Sequence, residues 1–172
     1  MILRGLLMVV VAAVALLADT VLLADLTLAG VAPSLTVMTV VGLAHADGPG
    51  TGVRYGFGLG LATDLLGDGL LGSGALVLLA VGYLIGAGRR YWTGGTLAGQ
   101  VVAGGVGSVA ATAGHAVLDL LVDAEGSVGA LLQELAVGAL FGILLAPLVL
   151  PALAWLLERL DPRAGLESPR RW

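Results

Sequence analysis

The chain has 172 residues, of which 58% are hydrophobic and only 12% are charged, and its formal net charge is −4. An ordinary soluble domain has about 25% charged residues, so this chain lacks the polar surface that a water-facing globule of its size needs. It contains no cysteine, which excludes disulfides, thiolate nucleophiles and cysteine-ligated metal sites.

Hydrophobic runs separated by charges, glycine or proline predict an all-α polytopic membrane protein with about six transmembrane helices. A helix that crosses a bilayer needs about 20 mostly apolar residues, so six helices take roughly 120 positions and leave no room for a separate extramembrane domain. The predicted spans are residues 5–24, 31–46, 52–68, 70–88, 94–120 and 129–158. We therefore expect a single six-helix transmembrane domain over residues 1–160 and a short basic cytoplasmic tail over residues 161–172.

Prolines mark two interruptions along these spans. The polar stretch 45–50, between the second and third spans, contains Pro49 and should form a turn, because a helix should not continue through it. The last span contains Pro147 and Pro151, which predict a kink or a break near its middle.

The cations, all of them arginines, predict the orientation in the membrane. With six spans all eight fall on one side, whereas the opposite connections, near Asp25, near Asp68 and over 119–125, contain acids and no Lys or Arg. The positive-inside rule then places both termini in the cytoplasm, at the bacterial inner (plasma) membrane. The arginines are Arg4, Arg54, Arg89, Arg90, Arg159, Arg163, Arg170 and Arg171.

An alternative treats the first span as a cleaved signal peptide. Arg4 precedes an apolar run, and Ala13-Val14-Ala15 resembles a small-residue cleavage site. Cleavage would leave five spans with the new N-terminus outside, which also agrees with the positions of the arginines. It would discard a helix that contains an acid, Asp19, and we favour the uncleaved form.

Glycine is abundant, with 28 residues, and we expect it to form the packing surfaces between helices. Helices in a bilayer associate through close backbone approach and buried polar contacts, because lipid tails are as apolar as leucine. Small residues recur every four positions in the third, fifth and sixth spans, which places them on inclined ridges. The predicted helix-packing glycines are Gly56, Gly60, Gly82, Gly86, Gly99, Gly107, Gly138 and Gly142.

Three acids, Asp19, Asp64 and Glu134, lie within the predicted spans. Each costs roughly 2.5–3.5 kcal/mol at mid-bilayer, against about −0.5 kcal/mol for each leucine, so the surrounding residues can still drive insertion. Two hypotheses stay open for the acids. Either they bind a substrate, a proton or a partner helix, or they are protonated or hydrogen-bonded to threonine hydroxyls and fix the helix register. Tyr83 is a fourth candidate for a polar or partner contact.

Patterns typical of catalysis or cofactor binding are not found. The glycine-rich stretch 56–60 lies inside a predicted helix, without the strand and turn of a phosphate-binding loop. Around Ser73 the pattern of a serine nucleophile elbow is missing, and His45 and His115 lie in different spans without the spacing of metal ligands. We therefore expect no enzyme activity, no cofactor and no metal.

The third and fourth spans contain two motifs, G-F-x-x-G-L-x-x-D and then L-G-x-x-A-L closing on G-Y-x-x-G and basic residues. In both motifs the chain resembles the rod shape-determining protein MreD family. The turn 32–35 is similar to the P-D-L of that family, with Ser34 in place of the acid. The matching positions are Gly56, Phe57, Gly60, Leu61, Asp64, Gly72, Ala75, Leu76, Gly82, Tyr83, Gly86, Arg89 and Arg90.

The resemblance implies a non-enzymatic membrane component of the bacterial cell-elongation (rod) machinery, which scaffolds peptidoglycan synthesis and determines cell shape. The implied partners are membrane lipids, an MreC-like protein, a RodA-like glycosyltransferase, a class B penicillin-binding protein and an MreB-like filament, with no nucleic acid. The family is also similar in fold to the substrate-binding subunits of energy-coupling-factor transporters. That similarity leaves an alternative function, a small-molecule-binding subunit of a vitamin-type transporter. Its pocket would be lined by Asp64, Glu134 or Tyr83.

Overall fold

The computed structural model describes residues 2–21, 32–67, 70–89, 91, 97–122 and 128–160. Within them the chain forms six α-helices and no strand, which confirms the predicted all-α class. The predicted basic tail lies outside the described residues. The helices are α1 (Ile2–Val21), α2 (Leu35–Asp47), α3 (Pro49–Leu66), α4 (Ser73–Gly88), α5 (Leu97–Val122) and α6 (Val128–Leu160).

Two of the helices, α5 and α6, are long and apolar enough to cross a membrane. The qualifying stretch of α5 is Ala98–Leu118, with 21 residues and a mean hydropathy of 1.5, and that of α6 is Leu131–Leu156, with 26 residues and a mean hydropathy of 2.3. Apolar stretches in α1, α2 and α4 are shorter: Met8–Val21, Leu35–Asp47 and Ser73–Gly88. Crossing of a membrane by all six helices stays a prediction.

The shortest helix, α2, lies at the centre of the bundle. It contacts each of the other five helices, and eight of its 13 residues are buried. Because α2 packs on all sides, its sequence has no polar face. In the core, Met38 and Val41 of α2 pack with residues of α4, α5 and α6, namely Val77, Val81, Ile85, Ala103, Ala111, Ala146 and Leu150.

One residue, Gly48, separates α2 from α3. Its φ of +96° lies in the left-handed region that glycine adopts readily, and its N–H donates to the carbonyl oxygen of Ala44 at 2.8 Å. Pro49 follows as the first residue of α3, where a helix needs no backbone N–H donor. The turn predicted over 45–50 is therefore shorter than expected, because α2 stops at Asp47 and α3 starts at Pro49, with only Gly48 between them.

At the end of the chain, α6 continues through Pro147 and Pro151 as one helix of 33 residues. The predicted break does not occur. A proline removes one backbone hydrogen bond from a helix, but the neighbouring Ala146 and Leu150 are buried in the central core and hold this part of α6 against α2 and α5.

At the other end of the chain, α1 runs antiparallel to α2. Met8 clusters with Leu43, Ala12 clusters with Val40, and both α1 residues are buried. The first helix therefore packs as an integral part of the bundle.

Candidate functional site

Asp64, in the last turn of α3, caps the first turn of α4. Its Oδ2 accepts hydrogen bonds from the N–H groups of Gly72 and Ala75, at 2.9 and 3.1 Å, and its Oδ1 accepts one from Gly74 at 2.9 Å. The first N–H groups of a helix have no partner within the helix, and the positive end of the helix dipole favours a carboxylate there. Since Gly72 is the N-cap residue and has no side chain, Asp64 supplies the cap from another helix.

Asp19, in the last turn of α1, does the same for α2. Its Oδ1 accepts from the N–H of Leu35 at 2.7 Å, and its Oδ2 accepts from the N–H of Thr36 at 2.8 Å and the Ser34 hydroxyl at 3.0 Å. Ser34 is the N-cap residue, and its Oγ accepts from the N–H of Val37 at 3.2 Å. Asp19 therefore caps the N-terminus of α2, and Asp64 caps the N-terminus of α4.

Asp19 and Asp64 accept hydrogen bonds from backbone N–H groups and from the Ser34 hydroxyl, and not from the threonine hydroxyls that the sequence suggested. The hydroxyls of Thr20 and Thr63 donate to carbonyl oxygens of their own helices, and Thr36 Oγ1 is buried without a hydrogen-bond partner among the described residues. Ser34 directly before an apolar run is a recognisable N-cap pattern in the sequence. The contribution of Asp19 to that cap depends on how two helices pack and is not visible in the sequence.

The other two candidates, Glu134 and Tyr83, do not join a shared site with these acids. Glu134 is half-buried near the start of α6, one helical turn before Gly138. Tyr83 lies on the outer face of α4 with 54% of its surface exposed. The grooves between α4 and α5 and between α1 and α3 are lined by none of Asp64, Glu134 and Tyr83.

Glycines bring α3 and α4 into direct backbone contact, which we call the α3–α4 seam. A Cβ atom added to any of its glycines would collide with backbone atoms of the other helix, so no larger residue fits without moving the helices apart. Four of the predicted packing glycines, Gly56, Gly60, Gly82 and Gly86, lie here. The contacting pairs are Gly52 with Gly82, Gly56 with Leu78, Gly60 with Ala75, and Gly86 with Pro49.

A second glycine contact joins α5 and α6. On α6 the predicted glycines Gly138 and Gly142 face hydroxyl-bearing residues, and a Cβ on either would lie 2.5 Å from the oxygen of Thr112 or Ser108. On α5 the predicted ridge faces a different neighbour, because a Cβ on Gly107 would meet Val41 of α2.

The surface of α5 that packs on α6 is thus a second ridge, which the sequence interpretation missed. It consists of Gly104, Ser108 and Thr112, and Gly104 contacts Ala146 and the carbonyl of Gly142. Gly99, also predicted to pack, is half-buried in the first turn of α5.

At the end of α4 opposite Asp64, Arg89 binds the last turn of α2. Its Nη1 donates to the carbonyl oxygen of Ala46 at 3.0 Å, across 43 positions of sequence. The last carbonyl groups of a helix have no partner within the helix and form the negative end of its dipole, so a cation is favourable there. Within the two motifs, Asp64 therefore caps the start of α4, and Arg89 caps the end of α2.

Four large side chains in the motifs take no part in these contacts. They are Phe57, Leu61, Leu76 and Tyr83, with 49%, 37%, 62% and 54% of their surfaces exposed. Each follows a residue of the α3–α4 seam by one position, which turns it about 100° away from the seam. Because α3 and α4 are antiparallel, side chains that stand one position after a seam residue point to the same side of the helix pair. We call the surface formed by these four side chains the exposed motif patch.

Among the described residues, no group of three or more His, Cys, Asp or Glu side chains could hold a metal ion. Comparison with known proteins leaves the family of the chain open. No protein-family model matches it, and no curated protein or solved structure was found to match it.

Proposed function

We propose that the chain is a multi-pass protein of the bacterial inner membrane, with six helices across the bilayer and both termini in the cytoplasm. Large apolar side chains are exposed along α1, α3, α4, α5 and α6, including Val14, Leu144 and Leu148. A soluble monomer rarely exposes contiguous apolar patches larger than a few hundred Å². Lipid tails are a solvent in which such an exterior is stable.

The helix caps support this proposal, because they explain how short helices can lie in a bilayer. With 13 residues, α2 is about 20 Å long, whereas the hydrocarbon core is about 30 Å thick. Its first N–H groups would then lie within the membrane, where an unpaired group costs several kcal/mol. Asp19 and Ser34 supply the partners for those groups.

The function that we propose is a non-enzymatic scaffold of the cell-elongation machinery, which holds the enzymes of peptidoglycan synthesis through its helix surfaces. The exposed motif patch is the observation that carries the proposal. Among the residues that resemble the MreD family, the glycines, Asp64 and Arg89 have roles in packing or capping. The four patch residues have no such role, so partner contact explains them better. Candidate occupants are helices of an MreC-like protein or a RodA-like glycosyltransferase.

The transporter alternative gains no support from the site. A pocket for a small polar molecule needs convergent polar groups that are free to bind it. Asp64 already accepts three backbone hydrogen bonds, and Tyr83 lies on the outer surface. A vitamin-sized ligand retained by the purified protein would reverse this ranking.

Depletion in a rod-shaped host that relies on this machinery tests the scaffold function. We expect cells to become round and lateral wall synthesis to stop, because the enzymes would lose their common membrane partner. Cell shape under the microscope and labelling of new peptidoglycan measure the result. Normal shape and normal wall labelling after depletion would contradict the proposal.

Replacing two patch residues together, Phe57→Ala and Tyr83→Ala, tests the patch itself. Both side chains are exposed, so we expect normal abundance in the membrane but loss of rod shape and of co-purifying wall-synthesis proteins. The matched control is the pair Leu144→Ala and Leu148→Ala, which are even more exposed, lie on α6 and stand outside the motifs. If the patch variant rescues depleted cells as well as the control does, the patch is not a partner surface.

A further inference from the structure

A groove between α1 and α3 is apolar along its length and has a cation at one end. Small residues, including Ala12 and Ala13 of α1 and Gly58 and Ala62 of α3, line it, and its volume is about 370 Å³. Arg54 lines the end nearest the start of α3. The groove therefore combines an apolar wall with one positive charge.

Helix packing explains why this groove is open. On its inner side α1 packs along α2, through Met8 against Leu43 and Ala12 against Val40. On the side toward α3, small residues leave a gap, and a Cβ on Gly58 would have no heavy atom within 4 Å. The groove is a consequence of the sequence, since larger residues at these positions would fill it.

The charge at its end has no partner among the described residues. Arg54 is exposed, and its guanidinium makes no hydrogen bond or ion pair within that part of the chain. It lies in the second turn of α3, at the end of the bundle where Arg89 binds Ala46. A guanidinium presents a planar set of donors that matches two oxygens of a phosphate.

We propose that this groove binds an anionic membrane phospholipid, with an acyl chain along Gly58 and Ala62 and the phosphate at Arg54. The proposal rests on the membrane embedding proposed above. From Arg54 to Ala62 the groove is about 12 Å long. The walls of the groove are apolar and its one charge is positive, which matches the acyl chain and the anionic headgroup of such a lipid.

Native mass spectrometry of the full-length protein in detergent tests the charge recognition. Phosphatidylglycerol and phosphatidylcholine with identical acyl chains are titrated, and we expect about fivefold tighter binding of the anionic lipid, as one basic residue contributes about 1 kcal/mol. Arg54→Gln should abolish this preference. Arg159→Gln, the same charge change at a residue that stacks on Trp155 of α6 at 4.2 Å, should preserve it.

A second pair of variants tests the apolar part. Gly58→Leu should weaken binding of both lipids by filling the groove. Gly50→Leu, at an equally open position of α3 outside the groove, should leave binding unchanged. The lipid site is refuted by equal affinity for the two lipids, by a preference that survives Arg54→Gln, or by unchanged binding to Gly58→Leu. Absence of the protein from the cell's membrane fraction would instead refute the membrane embedding.

Discussion

Asp19 and Asp64 each accept three hydrogen bonds at the start of the helix that follows their own. A side-chain cap contributes about 0.5–2 kcal/mol, and a carboxylate at the positive end of a helix adds about 0.3–1 kcal/mol. These contributions are comparable with the cost of placing an acid among apolar residues. Both acids can therefore be retained for structural reasons alone, without a substrate or a transported proton.

Removing one cap gives a direct measure of its contribution. We expect Asp64→Ala to lower the free energy of unfolding by about 2 kcal/mol, since three N–H groups lose their acceptor. Asp64→Asn should lose less, because the amide keeps one acceptor oxygen. Chemical unfolding of the purified protein in detergent provides the measurement.

The matched control for this cap is Glu134→Ala. No hydrogen bond to Glu134 is found in the described residues, so we expect a change within about 0.5 kcal/mol. Equal losses of unfolding free energy for Asp64→Ala and Glu134→Ala would show that the cap of Asp64 on α4 does not stabilise the protein.

The three acids could be selected from the sequence because charges within apolar runs stand out. Their roles could not, because a cap between two helices depends on tertiary packing. Arg89 illustrates the same point, since its partner, the carbonyl of Ala46, is 43 positions away.

Among the helices, periodicity anticipated the glycine contacts of α3 and of α6, where small residues recur every four positions. For α5 it identified the surface that packs on α2 but not the surface that packs on α6. The ridge with Gly107 packs on α2, whereas Gly104, Ser108 and Thr112 pack on α6. Serine and threonine also allow close helix approach, so a search for glycine and alanine alone misses the second surface.

The α3–α4 seam provides a comparison within a single helix. We expect Gly56→Ala to destabilise the protein by about 1–3 kcal/mol, because the added methyl group collides with the carbonyl of Leu78 and overpacks the seam. Gly58→Ala, two positions away and facing open space, should be neutral or stabilise by up to about 1 kcal/mol, since alanine is the better helix former. Thermal unfolding of both variants measures the difference. Similar effects of the two substitutions would show that the seam tolerates separation of the helices.

For the molecule as a whole, composition is sufficient to predict an all-helical protein, but the arrangement around α2 was not predictable. A short helix without amphipathic periodicity contains no information about which neighbours surround it. Two acids and two arginines of the described residues lie at opposite ends of the bundle. Asp19 and Asp64 act at the starts of α2 and α4, whereas Arg54 and Arg89 lie at the opposite end. The orientation of the bundle in a membrane, predicted from the arginines, stays a prediction.

That orientation can be tested with single cysteines, because the natural chain has none. Gly50→Cys lies at the arginine end, so a membrane-impermeant maleimide should label it only after the inner membrane is permeabilised. Leu71→Cys, exposed at the opposite end, should be labelled from the periplasm in intact spheroplasts, because the positive-inside rule keeps the arginines in the cytoplasm. Leu61→Cys, on α3 between these ends, serves as the control and should react under neither condition if lipid surrounds it. Labelling of Gly50→Cys in intact spheroplasts would place Arg54 and Arg89 outside the cytoplasm and contradict the predicted orientation.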